Sequence, residues 1–179
     1  MTLRRTGIAA TPLLLVAIAL TACSDDGAVD PPPVAVPSSA PPRTALGQAT
    51  LTFPAGDGDV SQCEIFKGTA NLPPDKTLIL GVRNVDNGSP ERYFEAVENW
   101  EYPEDLTDWQ GMQWFGSKDS SVDQRFRVEV LIVDLEQTQK AVRAAKNKGW
   151  HSVENPAGAR VAEHLTLKRV AGPGPAECS

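Results

Sequence analysis

Large apolar residues alternate with polar ones along much of the chain after residue 46, and this period of two predicts β-strands. The clearest case is 125–133, in which every second side chain from Phe126 to Ile132 is apolar. Asn87-Gly88 predicts a hairpin turn of type I′, because that turn needs positive φ angles. Short strands with turn residues about every ten residues predict an antiparallel β-sandwich. We expect the strands at 49–53, 60–69, 77–83, 92–100, 109–115, 125–133 and 159–170.

One segment follows the helical period instead. Asp134 precedes it as an N-cap, with Gln137 as its capping-box partner, and Gly149 suits the position after its C-terminus. Basic residues are concentrated in its second half, where the helix dipole favours them. The apolar stripe is narrow. We therefore expect one helix, from about 135 to 148, that covers an edge or end of the sheet before the last strand.

The N-terminal residues carry neither pattern. Arg4 and Arg5 precede an apolar run over 8–20, which is the arrangement of a secretory signal peptide. The run is shorter than the roughly 20 apolar residues that a membrane-spanning helix needs. Leu20-Thr21-Ala22-Cys23 closes the run and resembles the bacterial lipobox at all four positions. This resemblance implies that Cys23 receives a diacylglyceryl thioether and becomes the first mature residue; the alternative is an ordinary signal peptide with an unrelated cysteine.

A proline-rich segment separates this signal from the alternating part of the chain. Residues 24–43 have few large apolar side chains, and their prolines disfavour helices and central strands. We interpret the segment as a spacer; a Pro-rich protein-recognition site is the alternative. The expected division is a signal peptide at 1–22, the lipidated cysteine and a disordered linker at 23–45, and the β-sandwich domain at 46–179. Two acyl chains hold a protein stably on a membrane, so we expect a lipid-anchored protein at the extracytoplasmic face of the cell membrane.

The mature chain is acidic. Arg4 and Arg5 are removed with the signal, so the formal net charge of −6 becomes −8. A negative net charge disfavours nucleic acids and anionic lipid headgroups as partners. We therefore expect no nucleic-acid partner and no membrane contact other than the lipid on Cys23.

Two cysteines remain once Cys23 is lipidated. Cys63 and Cys178 lie near the two ends of the predicted domain. An even number of cysteines in an oxidising compartment predicts a disulfide bond, which here would close almost the whole domain into one loop. Two free thiols or a metal site are the alternatives, although no histidine is near either cysteine in the sequence.

Residues 63–170 resemble the extracytoplasmic Ig-like modules of uncharacterised actinobacterial proteins. Besides a Trp-rich strand, the features that carry the resemblance are Cys63, Gly68-Thr69-Ala70, Leu72-Pro73, Tyr93-Phe94 and Lys168-Arg169-Val170. The resemblance implies an Ig-like antiparallel β-sandwich with an extracytoplasmic location, and no particular function. The sequence differs from antibody-type domains, whose disulfide joins two facing strands, because Cys178 lies beyond the last predicted strand.

Few residues indicate catalysis or a bound metal. The sequence has no Gly-x-Ser-x-Gly motif, and the spacing of its two histidines, His151 and His164, suggests no serine-hydrolase triad. Asp57 and Asp59 share one predicted turn, but the turn lacks a complete calcium-loop consensus. We therefore expect no enzyme activity, no metal and no cofactor; calcium binding at the two aspartates is the alternative.

Three of the four tryptophans are close together in the sequence. Sugar rings stack on exposed aromatic side chains, and aromatic residues anchor protein interfaces. Trp109 and Trp114 fall on opposite faces of their predicted strand, so at least one should point away from the core. The other possibility is that the whole cluster belongs to the core. The candidate binding face consists of Trp100, Tyr102, Trp109 and Trp114.

These features predict a surface lipoprotein whose β-sandwich is a non-catalytic interaction or structural module. Its expected partner is a protein or a polymer of the cell envelope. The second hypothesis is a glycan-binding module that uses the aromatic face.

Overall fold

The alternating part of the chain forms strands, as its period predicts. The computed structural model describes residues 44–116, 119–146, 149–172, 174, 175 and 178. The predicted signal peptide, Cys23 and the linker up to residue 43 lie outside the described residues. Two 3₁₀-helices, Pro103–Asp108 and Asp119–Ser121, precede the sixth and seventh strands. The other elements are β1 (Gln48–Phe53), β2 (Gly58–Val60), β3 (Cys63–Asn71), β4 (Lys76–Asn84), β5 (Arg92–Ala96), β6 (Trp109–Trp114), β7 (Arg125–Asp134), α1 (Leu135–Ala145), β8 (Trp150–Ser152) and β9 (Arg160–Arg169).

The strands form two sheets packed face to face. The small sheet has the order β1-β3-β6, and the large sheet has the order β2-β9-β7-β4-β5-β8. The fold is mainly β, with two sheets and one helix before the last strand, so the predicted β-sandwich is confirmed. One pair departs from the antiparallel pattern, because β2 runs parallel to β9. A hairpin would impose antiparallel pairing, but β2 follows a strand of the other sheet.

The main core lies between the sheets and follows from the period of two. Every second residue of β7 from Phe126 to Ile132 points inward and is buried. The ring centroid of Phe115 lies 6.3 Å from that of Phe66 and 5.5 Å from that of Phe126. These three rings join the small sheet to the large one. Burying each ring stabilises the fold by about 1.5–3 kcal/mol.

A second, smaller core lies on the opposite face of the large sheet. Ile79, Leu131 and Val133 are buried there together with Phe94. α1 and the segment around β8 cover this group, and the ring centroid of Trp150 is 5.1 Å from that of Phe94. The cover explains why β7 becomes apolar on both faces towards its end.

The helix begins as predicted and ends early. The carboxylate of Asp134 accepts a hydrogen bond of 3.0 Å from the backbone N–H of Gln137, which confirms the N-cap. α1 ends at Ala145 because Lys146 adopts a positive φ of 46°.

The predicted end of one strand and the predicted type of one turn are wrong. The predicted strand 92–100 ends at Ala96, and Trp150–Ser152, which is not among the predicted strands, forms β8 by pairing with β5. The Asn87-Gly88 turn is not of type I′, because only Gly88 has a positive φ, of 71°. The connection between β4 and β5 is instead a longer loop, in which the Asn84 side chain accepts hydrogen bonds from the backbone N–H groups of Asp86 and Asn87.

Candidate functional site

Trp109 belongs to the main core, which corrects its place in the predicted binding face. Its side chain is 2% exposed. It begins β6 on the side that points towards the large sheet, and its indole lies over Gly68 of β3. A Cβ added at Gly68 would come within 2.6 Å of this ring, so glycine there makes room for it.

The other three members of the predicted face do not form one group. Trp100 is half-buried and packs against the main core, and its carbonyl accepts a hydrogen bond of 2.6 Å from the Thr77 hydroxyl. Tyr102 is exposed and precedes the 3₁₀-helix that leads into β6. Trp114 is the last residue of that strand. It lies about 17 Å from Trp109, the first residue, because a strand rises by roughly 3.3 Å per residue. Among the described residues, no ring contact joins any two of these four aromatic side chains.

The solvent-facing side of the small sheet carries a different apolar group. Met112 and Trp114 alternate outward from β6 and are 36% and 42% exposed. Ile65 of β3 is the register partner of Met112 on the same side. Phe53 of β1 completes the group and is 48% exposed. We call Phe53, Ile65, Met112 and Trp114 the outer apolar face.

Phe53 reaches this face through a β-bulge. Ala49 and Leu51 alternate towards the core, and the same period would bury Phe53 as well. The register between β1 and β3 shifts between Leu51 and Phe53, so that Phe53 pairs with the outward-pointing Lys67. A bulge re-aims a side chain in this way, and the hydrophobic pattern alone does not reveal it.

The predicted disulfide between Cys63 and Cys178 is confirmed, and it borders the outer apolar face. The two Cα atoms are 6.1 Å apart, a usual separation for bonded cysteines. Cys63 is the register partner of Trp114, so the bond holds Cys178 against this sheet, where Ile65 packs with both cysteines. The bond links positions 115 residues apart. A loop of that order stabilises a fold by up to about 4.7 kcal/mol in the chain-entropy model.

A shallow depression of about 510 Å³ lies on the same side of the small sheet. Its lining contains both apolar and polar side chains. Protein interfaces likewise combine an apolar centre with a polar rim. The side-chain amide of Gln110, in this lining, donates a hydrogen bond of 3.0 Å to Glu98. The lining residues are Phe53, Glu64, Ile65, Lys67, Gln110 and Pro175.

The two histidines do not stand in a hydrolase arrangement. Nδ1 of His151 lies 3.7 Å from a carboxylate oxygen of Glu91, and the Tyr93 hydroxyl donates a hydrogen bond of 3.1 Å to the same carboxylate. Burial raises the pKa of Tyr93, and the neighbouring Glu91 raises it further. His164 is exposed, opposite Glu129 in the register of β9 and β7. Within the described part of the chain, no serine hydroxyl hydrogen-bonds either imidazole.

The aspartates considered for calcium take part in other contacts. The carboxylate of Asp57 accepts a hydrogen bond of 2.7 Å from the backbone N–H of Thr166, which ties the loop before β2 to β9. Asp59 pairs in register with Lys168, whose amine lies 2.8 Å from the carboxylate of Asp123. Among the residues that the structure describes, no three His, Cys, Asp or Glu side chains are grouped closely enough to hold a metal ion.

Comparison with protein-family models, with characterised proteins and with solved structures gives no match. The resemblance to actinobacterial Ig-like modules and the lipidation of Cys23 therefore stay predictions. Within the described ranges, no helix has both the length and the hydrophobicity needed to cross a membrane.

Proposed function

We propose that this protein is a lipoprotein, anchored at the extracytoplasmic face of the cell membrane through a diacylglyceryl group on Cys23, whose β-sandwich binds a protein partner and catalyses no reaction. The anchor rests on the sequence: a basic start, a short apolar run and a lipobox that ends at Cys23. A disulfide between Cys63 and Cys178 supports an oxidising compartment. The proline-rich residues 24–43 would hold the domain away from the membrane surface.

The outer apolar face is the observation that carries the binding role. Phe53, Met112 and Trp114 are each at least 36% exposed on one side of one sheet. Apolar side chains grouped on a surface mark interaction sites. Aromatic residues and methionine are also enriched in protein interfaces. Covering this face with a partner would contribute about 25 cal/mol per Å² of apolar surface removed from water.

A glycan is the second candidate ligand, and the position of Trp114 favours it. Its exposed indole lies on the same side of the sheet as the amide of Gln110, and sugars stack on such rings while polar groups bind their hydroxyls. Phe53 and Met112 favour a protein instead, because neither side chain offers a donor or a strong acceptor to a sugar hydroxyl.

Photocrosslinking on intact cells tests the binding role. A photoreactive amino acid replaces Met112, and mass spectrometry identifies the proteins attached to it. We expect a discrete set of adducts that disappears in Trp114→Ala. Tyr102→Ala is the matched control, because it removes an exposed aromatic side chain elsewhere on the surface.

Titration of the purified full chain with peptidoglycan fragments and envelope polysaccharides tests the glycan alternative. Tryptophan fluorescence reports binding, since Trp114 is partly exposed. A saturable response that is lost in Trp114→Ala would show that the ligand is a glycan and not a protein. If neither adducts nor a response depends on Trp114, the outer apolar face is not the binding site.

A further inference from the structure

Three arginines lie side by side on the solvent-facing side of the large sheet, away from the outer apolar face. Arg83 of β4 is the register partner of Arg127 of β7. β4 and β5 pair as far as Val82 and Tyr93, and continuing this register by one residue places Arg92 next to Arg83. All three side chains line one shallow crevice. We call Arg83, Arg92 and Arg127 the arginine row.

Arg83, at the centre of the row, has no counter-charge in the described part of the chain. Its Nε is buried and has no hydrogen-bond partner among the described residues. Like charges directly opposite one another destabilise a sheet. Two other cations of the same sheet do have counter-charges. Arg125 and Lys168 lie 2.7 Å and 2.8 Å from aspartate oxygens.

The two outer arginines are held in place by protein groups. Arg127 Nε donates a hydrogen bond of 2.7 Å to Glu129, whose second carboxylate oxygen accepts one of 3.2 Å from Asn155. Arg92 donates one of 2.7 Å to the carbonyl of Val153. These bonds orient two guanidinium groups on either side of Arg83 before any ligand arrives, which lowers the entropy lost on binding.

The charges in this crevice do not balance. Glu129 is the one carboxylate among the crevice residues, so two of the three positive charges remain uncompensated. The side chain of Glu129 is 10% exposed, and both of its oxygens already accept hydrogen bonds. Gly81, the register partner of Glu129, has the side chains of Phe94 and Leu131 beside it, so the second core closes this end of the crevice.

We propose that the arginine row binds a phosphate group, as inorganic phosphate or as a phosphate monoester. Such a group carries about −1.5 to −2 charges near neutral pH, which matches the two uncompensated positive charges. Its oxygens accept paired hydrogen bonds from the forked guanidinium groups. The guanidinium group of Arg83 gains an acceptor, and the repulsion within the row is relieved.

Isothermal titration calorimetry of the full chain, purified in detergent, tests the site with inorganic phosphate at constant pH and ionic strength. We expect saturable binding that is weakened about tenfold or more in Arg83→Gln, because hydrogen bonds to charged groups are lost. Arg143→Gln changes an exposed arginine on α1 and should bind as the wild type does. No saturable binding by the wild type, or equal binding by Arg83→Gln, overturns the proposal.

Three further measurements keep the outcome interpretable. Arg83→Gln should unfold at the same or a higher temperature than the wild type in phosphate-free buffer, because it removes a like charge. If it fails to fold, Arg83→Lys keeps the charge without the fork and should bind phosphate more weakly than the wild type. Trp114→Ala should leave phosphate binding unchanged, so this site and the outer apolar face are tested independently.

The source of the phosphate group is distinguished by comparing ligands. Glycerol phosphate is a monoester, and dimethyl phosphate is a diester with a single charge. If glycerol phosphate binds at least as tightly as inorganic phosphate, the site accepts phosphorylated molecules. If inorganic phosphate binds alone, the site takes the free ion. Tightest binding of the diester would contradict the charge match and overturn the proposal.

Discussion

The solvent-facing sides of the two sheets both carry large apolar side chains, but only one of them is covered. On the large sheet, α1 and the residues around β8 bury Phe94 and Leu131 in a second core. On the small sheet, the disulfide holds Cys178 at the edge of the face, and Met112 and Trp114 stay exposed. Apolar residues on the side of a sheet away from the main core are therefore buried where another segment of the chain covers them. Where no segment does, they stay exposed and are available to a partner.

The uncovered parts of the two sheets also differ in charge. The outer apolar face has few charged neighbours, of which Lys67 is in register with Phe53. The open part of the large sheet carries the arginine row and Glu129. The two sheets thus present different chemistry to solvent, and a ligand of one is not expected to compete for the other.

The largest expected effect on stability comes from opening the covered face. Phe94→Ala should lower the free energy of unfolding by about 3–5 kcal/mol, because it leaves a cavity against Trp150. Met112→Ala, on the uncovered face, should change it by no more than about 0.5 kcal/mol. Chemical denaturation followed by circular dichroism measures both. Equal losses at the two positions would contradict this expectation, since the outer apolar face would then be part of a core.

Removing the disulfide should have the next largest effect. Cys63→Ser combined with Cys178→Ser should lower the free energy of unfolding by about 2–4 kcal/mol through the larger entropy of the unfolded chain. Hydrogen exchange should become faster in β3 and β6 near the bond, while α1 keeps its protection. An equal loss of protection in α1 would show that the bond supports the whole sandwich rather than the small sheet.

Acid should weaken the charged part of the large sheet through Glu129. Burial raises the pKa of Glu129, but hydrogen bonds from Arg127 and Asn155 and the charges of Arg127 and Arg92 lower it by more, to below its ordinary value of 4.5. Such a carboxyl contributes stability above its unfolded pKa, and the contribution is lost as the pH falls through its folded pKa. Below pH 4.5, the wild type should therefore lose stability more steeply than Glu129→Gln.

The comparison with Glu129→Gln is needed because another carboxyl acts in the opposite direction. Burial raises the pKa of Glu95, so its protonation favours the folded state as the pH falls. Glu95 is present in both proteins, and its effect cancels in their difference. Unfolding midpoints of the wild type and of Glu129→Gln are measured across the acid range. Plotted against pH, the two curves would run parallel if the pKa of Glu129 were not lowered.

Much of the fold could be predicted because it depends on local patterns. The alternation in β7 marks the inward residues, Asp134 marks the start of α1, and the spacing of Cys63 and Cys178 fits a single closing bond. The first two signals involve residues that are neighbours in the sequence. The third involves two cysteines that have no other cysteine to pair with once Cys23 is lipidated. The packing of the two sheets then follows from the apolar faces alone.

The two candidate binding surfaces could not be predicted in the same way, because they depend on register. Four aromatic residues close in sequence are dispersed in space, since β6 alternates and Trp109 turns inward. Phe53 joins the outer apolar face only through a bulge. Arg83 and Arg127 meet only because β4 and β7 pair as they do, so the net charge of an acidic chain does not reveal this positive patch.

The smallest effect on stability is expected where the effect on binding is large. Met112→Lys places a charge on the outer apolar face and should change the free energy of unfolding by no more than about 0.5 kcal/mol, because the side chain is 36% exposed and reaches water. A charge buried without a partner in an interface is costly, so adducts formed by a photoreactive residue at Phe53 should be lost. Thr107→Lys adds the same charge at an exposed position outside this face and should keep them. A stable Met112→Lys protein that keeps its adducts would leave the uncovered face without a binding role, and the contrast between the two sheets would then concern folding alone.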